Sequence, residues 1–178
     1  KRYEEQGRGR SGRDAAGGSL KITIVCAGKL KEKYLRDGIA EYEKRLRPYA
    51  DLRTIEIIEE RMKDRPSPAE KDEVLRREGE RLSSQIPQGA YLIVLDVGGE
   101  EMSSEKFSAR IDRLMLMGES HIAFLIGGPF GLSDELRQRA DLRLSFSQFT
   151  LPHQLIRLFL MEQIYRSFKI SRHEPYHL

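Results

Sequence analysis

Three segments of the chain combine residue types suited to ligand binding with a position directly after an apolar, strand-like run. The run LIVLD at residues 92–96 leads into Val97, Gly98 and Gly99; AFLI at 123–126 leads into GGPFG; LSF at 144–146 leads into SQFTLPH. In open α/β sheets, ligands bind beyond the carboxyl ends of the strands. These three loops are therefore the candidate ligand contacts.

The loop at residues 127–131 is rich in glycine, which allows its backbone to come close to a ligand or to another part of the chain. Its spacing matches neither G-x-G-x-x-G nor G-x-x-x-x-G-K-[ST], which disfavours dinucleotide and nucleoside triphosphate binding. An ordinary glycine-rich turn is the alternative.

The segment at residues 147–153 mixes hydroxyls, an amide, two large apolar groups, a proline and a histidine. Exposed backbone groups in such a segment can hold the edge of an adenine without a charged side chain, and apolar side chains suit a neutral ring. This composition therefore suits a neutral ring flanked by apolar side chains.

In addition to these loops, the C-terminus contains many chemically active side chains. Three of the four histidines lie in the last 26 residues, with several cations and tyrosines around them: His153, His173, His177, Arg157, Arg166, Lys169, Arg172, Tyr165 and Tyr176. The alternative is a helix end whose cations complement the helix dipole. His121 opens a strand and is expected to be structural.

No histidine or cysteine cluster has metal-ligand spacing, and no paired carboxylates lie in the candidate loops. We therefore predict no metal and a preactivated donor that carries the difficult chemistry. The single cysteine, Cys26, excludes an intrachain disulfide and is expected to be buried filler in a reducing cytoplasm. No apolar run approaches the ~20 residues that cross a bilayer, so no membrane association is expected.

The chain of 178 residues, 39% hydrophobic, is long enough for one core. Residues 1–19 are predicted to be a disordered extension, a tag or upstream read-through, with a basic RNA-contacting arm as the alternative. Residues 20–178 are predicted to form one domain. They hold 26 basic and 25 acidic residues, a net charge of +1, which does not indicate a nucleic-acid binder by itself.

Hydrophobic patterning predicts alternating strands and helices. Strands are expected at residues 20–27, 52–58, 91–97, 121–126 and 142–146, and helices at 31–45, 69–86, 104–117 and 153–168, with a short helix capped by Ser133 and a turn at Gly98 and Gly99. The order indicates an α/β fold with a mostly parallel sheet flanked by helices.

At these residues the sequence resembles the large-subunit ribosomal RNA pseudouridine methyltransferases of the SPOUT class. The likeness is carried by LIGGPFGL at residues 125–132, by LSFS and TLPH at 144–147 and 150–153, by PYH at 175–177, and by KITIVCAGKLKEKY at 21–34. It implies a C-terminal trefoil knot, an exception to the rule against knotted chains, and a cytoplasmic homodimer that acts on the ribosome. It also implies that S-adenosylmethionine is held by Leu95, Gly128, Ser147, Gln148, Phe149, Thr150, Leu151 and Pro152.

Methylation at N3 of a pseudouridine in 23S ribosomal RNA requires a proton to leave the ring nitrogen. We expect His177 first and Tyr176 second to orient or deprotonate the base, His153 to support the site, and Arg157 and Arg166 to contact phosphate. The weak net charge favours the assembled ribosome as substrate over free RNA. The alternatives are a SPOUT enzyme that acts on transfer RNA and a non-catalytic ribosome-binding module. The family usually has a basic residue after PYH, where this chain has Leu178.

Overall fold

The computed structural model describes residues 19–176, which form a five-stranded sheet with helices on both faces. The strands are β1 (Leu20–Ala27), β2 (Ala50–Ile57), β3 (Tyr91–Glu101), β4 (His121–Ile126) and β5 (Leu142–Ser145). The helices are α1 (Lys33–Leu46), α2 (Pro68–Ser84), α3 (Ser104–Leu116), α4 (Asp134–Arg139) and α5 (His153–Ser171). Strand and helix alternate in the predicted order, which confirms the α/β interpretation. Residues 1–18, part of the predicted extension, lie outside the described residues.

The sheet has the strand order β2-β1-β4-β3-β5, and every neighbouring pair is parallel. The carboxyl ends of all five strands therefore meet at one edge of the sheet. The three candidate loops leave β3, β4 and β5 at this edge. The parallel sheet brings together segments that are about 50 residues apart in sequence.

Two apolar layers hold the helices on the sheet. Side chains that alternate along β1 point to opposite faces, so Ile24 and Cys26 pack under α1, α3 and α5, while Val25 packs under α2 and α4. Cys26 is fully buried, as predicted, and burial raises the pKa of its thiol to about 12. No helix among residues 19–176 is long and apolar enough to span a membrane.

Side-chain hydrogen bonds cap the starts of α2 and α4. Ser67 and Glu70 form a reciprocal capping box at the start of α2. The Ser133 hydroxyl accepts a hydrogen bond from the backbone N–H of Leu136 at 3.4 Å, which confirms the predicted cap of α4. These caps fix where α2 and α4 begin beside the glycine-rich loop.

The buried face of α2 is not purely apolar. Leu82 is buried, whereas Val74 and Leu75, and Ile86 just after the helix, are only partly buried. Glu78 and Gly79 are buried as well. A β-carbon at Gly79 would lie 3.0 Å from the Ser133 hydroxyl, so the glycine allows α2 and α4 to pack closely. A pattern of apolar residues alone does not reveal a contact of this kind.

The predicted turn at Gly98 and Gly99 is wrong, because β3 continues through both glycines to Glu101. Leu95 and Glu100 both pair with Leu144 of β5, so residues 96–99 form an irregularity in the strand. A β-carbon at Gly99 would lie 2.6 Å from the carbonyl carbon and oxygen of Arg143. Gly99 therefore allows the backbone of β3 to lie close to that of β5, and the chain does not reverse direction at this glycine pair.

We therefore expect Gly99→Ala to lower the free energy of unfolding by about 2 kcal/mol, because backbone atoms must move to admit the methyl group. Gly98→Ala is the matched control: its nearest neighbour is a side-chain atom, Arg143 Nη2 at 3.2 Å, which can shift more easily than backbone, and a loss below about 1 kcal/mol is expected. Urea unfolding measures both. Equal losses would show that the close approach at Gly99 is not the constraint.

Candidate functional site

A cavity of about 600 Å³ lies at the carboxyl edge of the sheet, between the loops that follow β3, β4 and β5. This volume falls within the ~300–1,000 Å³ usual for small-molecule sites. Its wall contains most of the residues predicted to bind a cofactor: Leu95, Gly128, Ser147, Phe149, Thr150, Leu151 and Pro152, with His153 beside them. Gln148 is exposed and does not line the cavity.

The loop after β5 lines this cavity with six of its seven residues, 147 and 149–153. The Ser147 hydroxyl accepts a hydrogen bond from the backbone N–H of Phe149 at 3.0 Å, and the Ser145 hydroxyl donates to the Ser147 carbonyl at 3.1 Å. These bonds shape the loop, whereas the backbone N–H groups of Thr150 and Leu151 have no hydrogen-bond partner among residues 19–176. Two adjacent donors are thus available to a flat, uncharged ligand.

The glycine-rich loop after β4 forms the opposite wall. The Gly131 backbone N–H donates to the Gly128 carbonyl at 2.9 Å, and Gly131 has a φ of +78°, which favours glycine. A side chain at Gly127 would overlap the Gly131 carbonyl. Behind this loop lies Glu78, 3% exposed, whose carboxylate accepts from the Glu60 N–H at 3.0 Å, and burial raises its pKa. The loop is therefore fixed by backbone contacts on one side and a buried carboxyl on the other.

Asp96 lies at the cavity rim and holds two arginines. Its Oδ2 accepts from Arg143 Nε at 2.9 Å and Nη2 at 2.6 Å, and Arg137 Nε lies 3.4 Å away. Burial alone would raise the pKa of Asp96. The hydrogen bonds from Arg143 and Gly98, together with the charges of Arg137 and Arg143, have the larger effect, so the pKa is lowered overall. Asp96 therefore stays ionised and organises the rim.

His153 begins α5 and lines the cavity, while its supporting role stays a prediction. Burial lowers the pKa of the imidazole; Glu59 opposes this shift, and Arg157 and Lys31 add to it. Its Nε2 atom is buried without a hydrogen-bond partner among the described residues. A neutral imidazole with one unused nitrogen can accept or donate one hydrogen bond to a ligand.

The tail residue Tyr176 lies away from the cavity of its own chain. Its hydroxyl is 3.2 Å from Glu162 Oε1 and 3.3 Å from the Tyr42 hydroxyl, and the Arg166 guanidinium lies 4.8 Å from the centre of its ring. Burial, followed by the hydrogen bonds to Tyr42 and Glu162, raises the pKa of Tyr176, which keeps the phenol protonated. His177, the first choice for proton acceptor, lies outside the described residues.

The two predicted phosphate contacts have different surroundings. Arg157 is only 2% exposed: it binds Glu56 at 2.8 Å and the carbonyls of Ala27 and Gly28. The expected phosphate contact by Arg157 is therefore wrong for this conformation, because the guanidinium is buried and joins α5 to the ends of β1 and β2. Arg166 is half-buried and pairs with Glu162.

Residue patterns missed three charged side chains at this site: Asp96, Arg137 and Glu78. Asp96 ends the run LIVLD and carried a positional signal, since it directly follows a buried strand. Arg137 and Glu78 lie on charged helices where nothing distinguishes them from solvated neighbours. Among residues 19–176, no group of three or more histidine, cysteine, aspartate or glutamate side chains is arranged to hold a metal ion.

Comparison with known proteins gives the family. The family model described as "Predicted SPOUT methyltransferase" matches residues 20–177, and the chain belongs to this family of methyltransferases. A curated relative from Carboxydothermus hydrogenoformans, "Ribosomal RNA large subunit methyltransferase H", is 52% identical over 158 residues, 89% of this chain and 99% of the relative. Relatives with the same name from Moorella thermoacetica and Streptococcus gordonii are 50% and 49% identical over the same shares of both chains.

The buried arginine gives a direct test of the site's framework. Arg157→Met should lower the free energy of unfolding by about 3 kcal/mol, because it leaves Glu56 and two buried carbonyls without their donor. Arg139→Met is the control, since Arg139 is exposed and its guanidinium donates to the Ser83 hydroxyl at 2.7 Å, and a change within about 0.5 kcal/mol is expected. Denaturant unfolding measures both, and similar losses would refute a structural role for Arg157.

Proposed function

We propose that this chain transfers a methyl group from S-adenosylmethionine to N3 of a pseudouridine in 23S ribosomal RNA within the assembled ribosome. The observation that carries the proposal is the cavity at the carboxyl ends of β3, β4 and β5, with its two unpaired backbone donors at Thr150 and Leu151. The substrate follows from relatives about half identical to this chain, whose shared name specifies ribosomal RNA of the large subunit.

The residues present fit the proposed cofactor. The backbone donors of Thr150 and Leu151 suit the edge of an adenine, and Leu95 and Leu151 offer apolar contacts to its faces. Gly128 contributes backbone to the wall, and its missing side chain leaves room for Glu78 behind the loop. Ser147, Phe149 and Pro152 complete the wall, while Gln148 is a candidate only through its backbone. When bound, the cofactor supplies a methyl group already activated on a sulfonium.

The chain's own residues must position the base and receive its N3 proton. We assign His177 as the first candidate for proton acceptor, because imidazole titrates near neutral pH. Tyr176 is better suited to orienting the base, since its raised pKa keeps the phenol protonated. His153 supports the site as a neutral hydrogen-bonding group in the wall.

A homodimer would bring the tail to the cavity. Tyr176 contacts Glu162, nine residues after His153, or roughly 13 Å along the axis of α5. The apolar side chains of Phe149, Leu155 and Phe159 are 80%, 36% and 43% exposed, and they offer a surface for a second subunit. We propose that the tail of one subunit completes the site of its partner, with Arg166 beside the tail as the candidate for an RNA phosphate contact.

The same proposal includes the trefoil knot of the family resemblance and a cytoplasmic location beside the ribosome. Knotted segments must pass one another closely, and the contact of Gly99 with the backbone of Arg143, 44 residues later in the chain, is consistent with such a path. The balance of 26 basic and 25 acidic residues in 20–178 favours recognition of an assembled particle, because free RNA would gain little general attraction.

Labelled methyl transfer tests the proposed reaction. With ribosomes that lack the modification, the label should map to N3 of a pseudouridine in 23S ribosomal RNA, and a naked hairpin of the same sequence should be methylated at least about tenfold more slowly. Label on transfer RNA would favour the alternative SPOUT substrate. Absence of transfer despite tight ribosome binding would favour a non-catalytic module.

Mixed dimers test the shared site. A subunit with Leu95→Arg, which fills the cavity, and a subunit with Tyr176→Ala and His177→Ala should each be inactive alone. Randomly mixed after unfolding and refolding, the two should recover about one quarter of the wild-type rate, because half of the dimers then hold one intact site. No recovery, with dimers confirmed by light scattering, would show that each tail serves its own chain.

A further inference from the structure

Among the described residues that line the cavity, three side chains can carry a charge: Asp96, Arg137 and His153. The lowered pKa of His153 makes its neutral form dominant at pH 7, and Asp96 is negative. Arg137 is therefore the one lasting positive charge that residues 19–176 place in the cavity wall. Neither the proposed adenine contacts nor the proposed proton transfer uses it.

Two guanidinium nitrogens of Arg137 lie near carboxylates, and the third, Nη2, does not. Its Nη1 donates to Asp134 Oδ1 at 3.0 Å. Its Nε lies 3.4 Å from Asp96 Oδ2 as an ion pair, and this buried nitrogen has no hydrogen-bond partner among the described residues. Its Nη2 has no partner among the described residues and lies 3.6 Å from the place where a β-carbon of Gly131 would be. The unpaired donor thus lies beside a glycine of the cavity wall.

The two acids near Arg137 leave much of its charge uncompensated. Asp134 is 87% exposed, so solvent weakens its attraction. Asp96 has its shorter contacts with Arg143, at 2.6 and 2.9 Å, and shares one negative charge between two arginines. An anion that enters the cavity would meet an arginine that is positioned but not neutralised.

We propose that Arg137 binds the carboxylate of the amino-acid portion of S-adenosylmethionine, an inference that rests on the proposed cofactor. That carboxylate is the cofactor's one anionic group, and guanidinium-carboxylate hydrogen bonds are among the stronger ones in proteins. An RNA phosphate is the weaker alternative, because Arg143 is the more exposed of the two rim arginines, at 45% against 32%. Arg137 acts in binding and positioning, while Asp96 holds it in place.

Calorimetric titration with S-adenosylmethionine and with its decarboxylated analogue tests this assignment without any methyl transfer. Arg137→Gln should raise the Kd for S-adenosylmethionine about tenfold or more, the loss expected for a charged hydrogen bond. The Kd for the decarboxylated analogue should stay the same or fall, because that ligand has no anion to bind. Arg139→Gln, on the same helix but outside the cavity wall, should change neither Kd.

Equal weakening of both ligands in Arg137→Gln would overturn the proposal, since it would show general support of the loop. Unchanged binding of both ligands with a raised KM for ribosomes would also overturn it and assign Arg137 to RNA. If the wild-type protein binds neither ligand, the proposed cofactor itself is wrong. Thermal melting of each variant establishes that the binding data refer to folded protein.

Discussion

The site depends on backbone segments that pass one another too closely for side chains. Gly99 runs against the Arg143 carbonyl, and Gly127 runs against Gly131, in each case where a β-carbon would overlap backbone atoms. The first contact joins β3 to β5, and the second folds the loop after β4 back on itself, so that both shape the wall of one cavity. The parallel sheet supplies the common edge, and the missing β-carbons let the loops close around it.

Charged side chains then fix the loops that the glycines bring together. Arg157 ties α5 to the ends of β1 and β2 from the interior, and Asp96 ties β3 to the arginines of α4 and β5 at the rim. A buried ion pair such as that of Arg157 with Glu56 adds little net stability, but it is costly to break and so favours one arrangement of the loops. These charged side chains therefore hold the loops in place, and Arg137 is the one that we propose also binds a ligand.

The sequence predicted the elements well where burial on both faces left a continuous apolar run. The bounds of β1 and β4 agree with prediction, because these central strands are covered by helices on either side. The prediction failed at Gly98 and Gly99, since a glycine pair that permits a close crossing looks the same as one that makes a turn. It also failed for Glu78 and Arg157, because a buried charge is recognisable only once its distant partner is known.

The sequence was sufficient to locate the candidate site but not to identify all the residues that line it. The loop at 147–153 was identified because its mixture of residues is unusual after a strand, and all but one of its members line the cavity. Arg137 could not be identified, since its role depends on the spacing of Asp96, Gly131 and α4 in space. The separation of Tyr176 from the cavity likewise follows from the length of α5 and not from the composition of the tail.

We propose that the cavity at the carboxyl edge binds S-adenosylmethionine through backbone donors of the loop after β5. A ¹H–¹⁵N NMR titration of the protein with this cofactor tests the proposed binding most directly. The amides of Thr150 and Leu151 should shift downfield as they gain an acceptor, with further changes confined to the loops after β3 and β4. Shifts that instead cluster in the groove of about 480 Å³ between α2 and α4, with Thr150 and Leu151 unmoved, would contradict it.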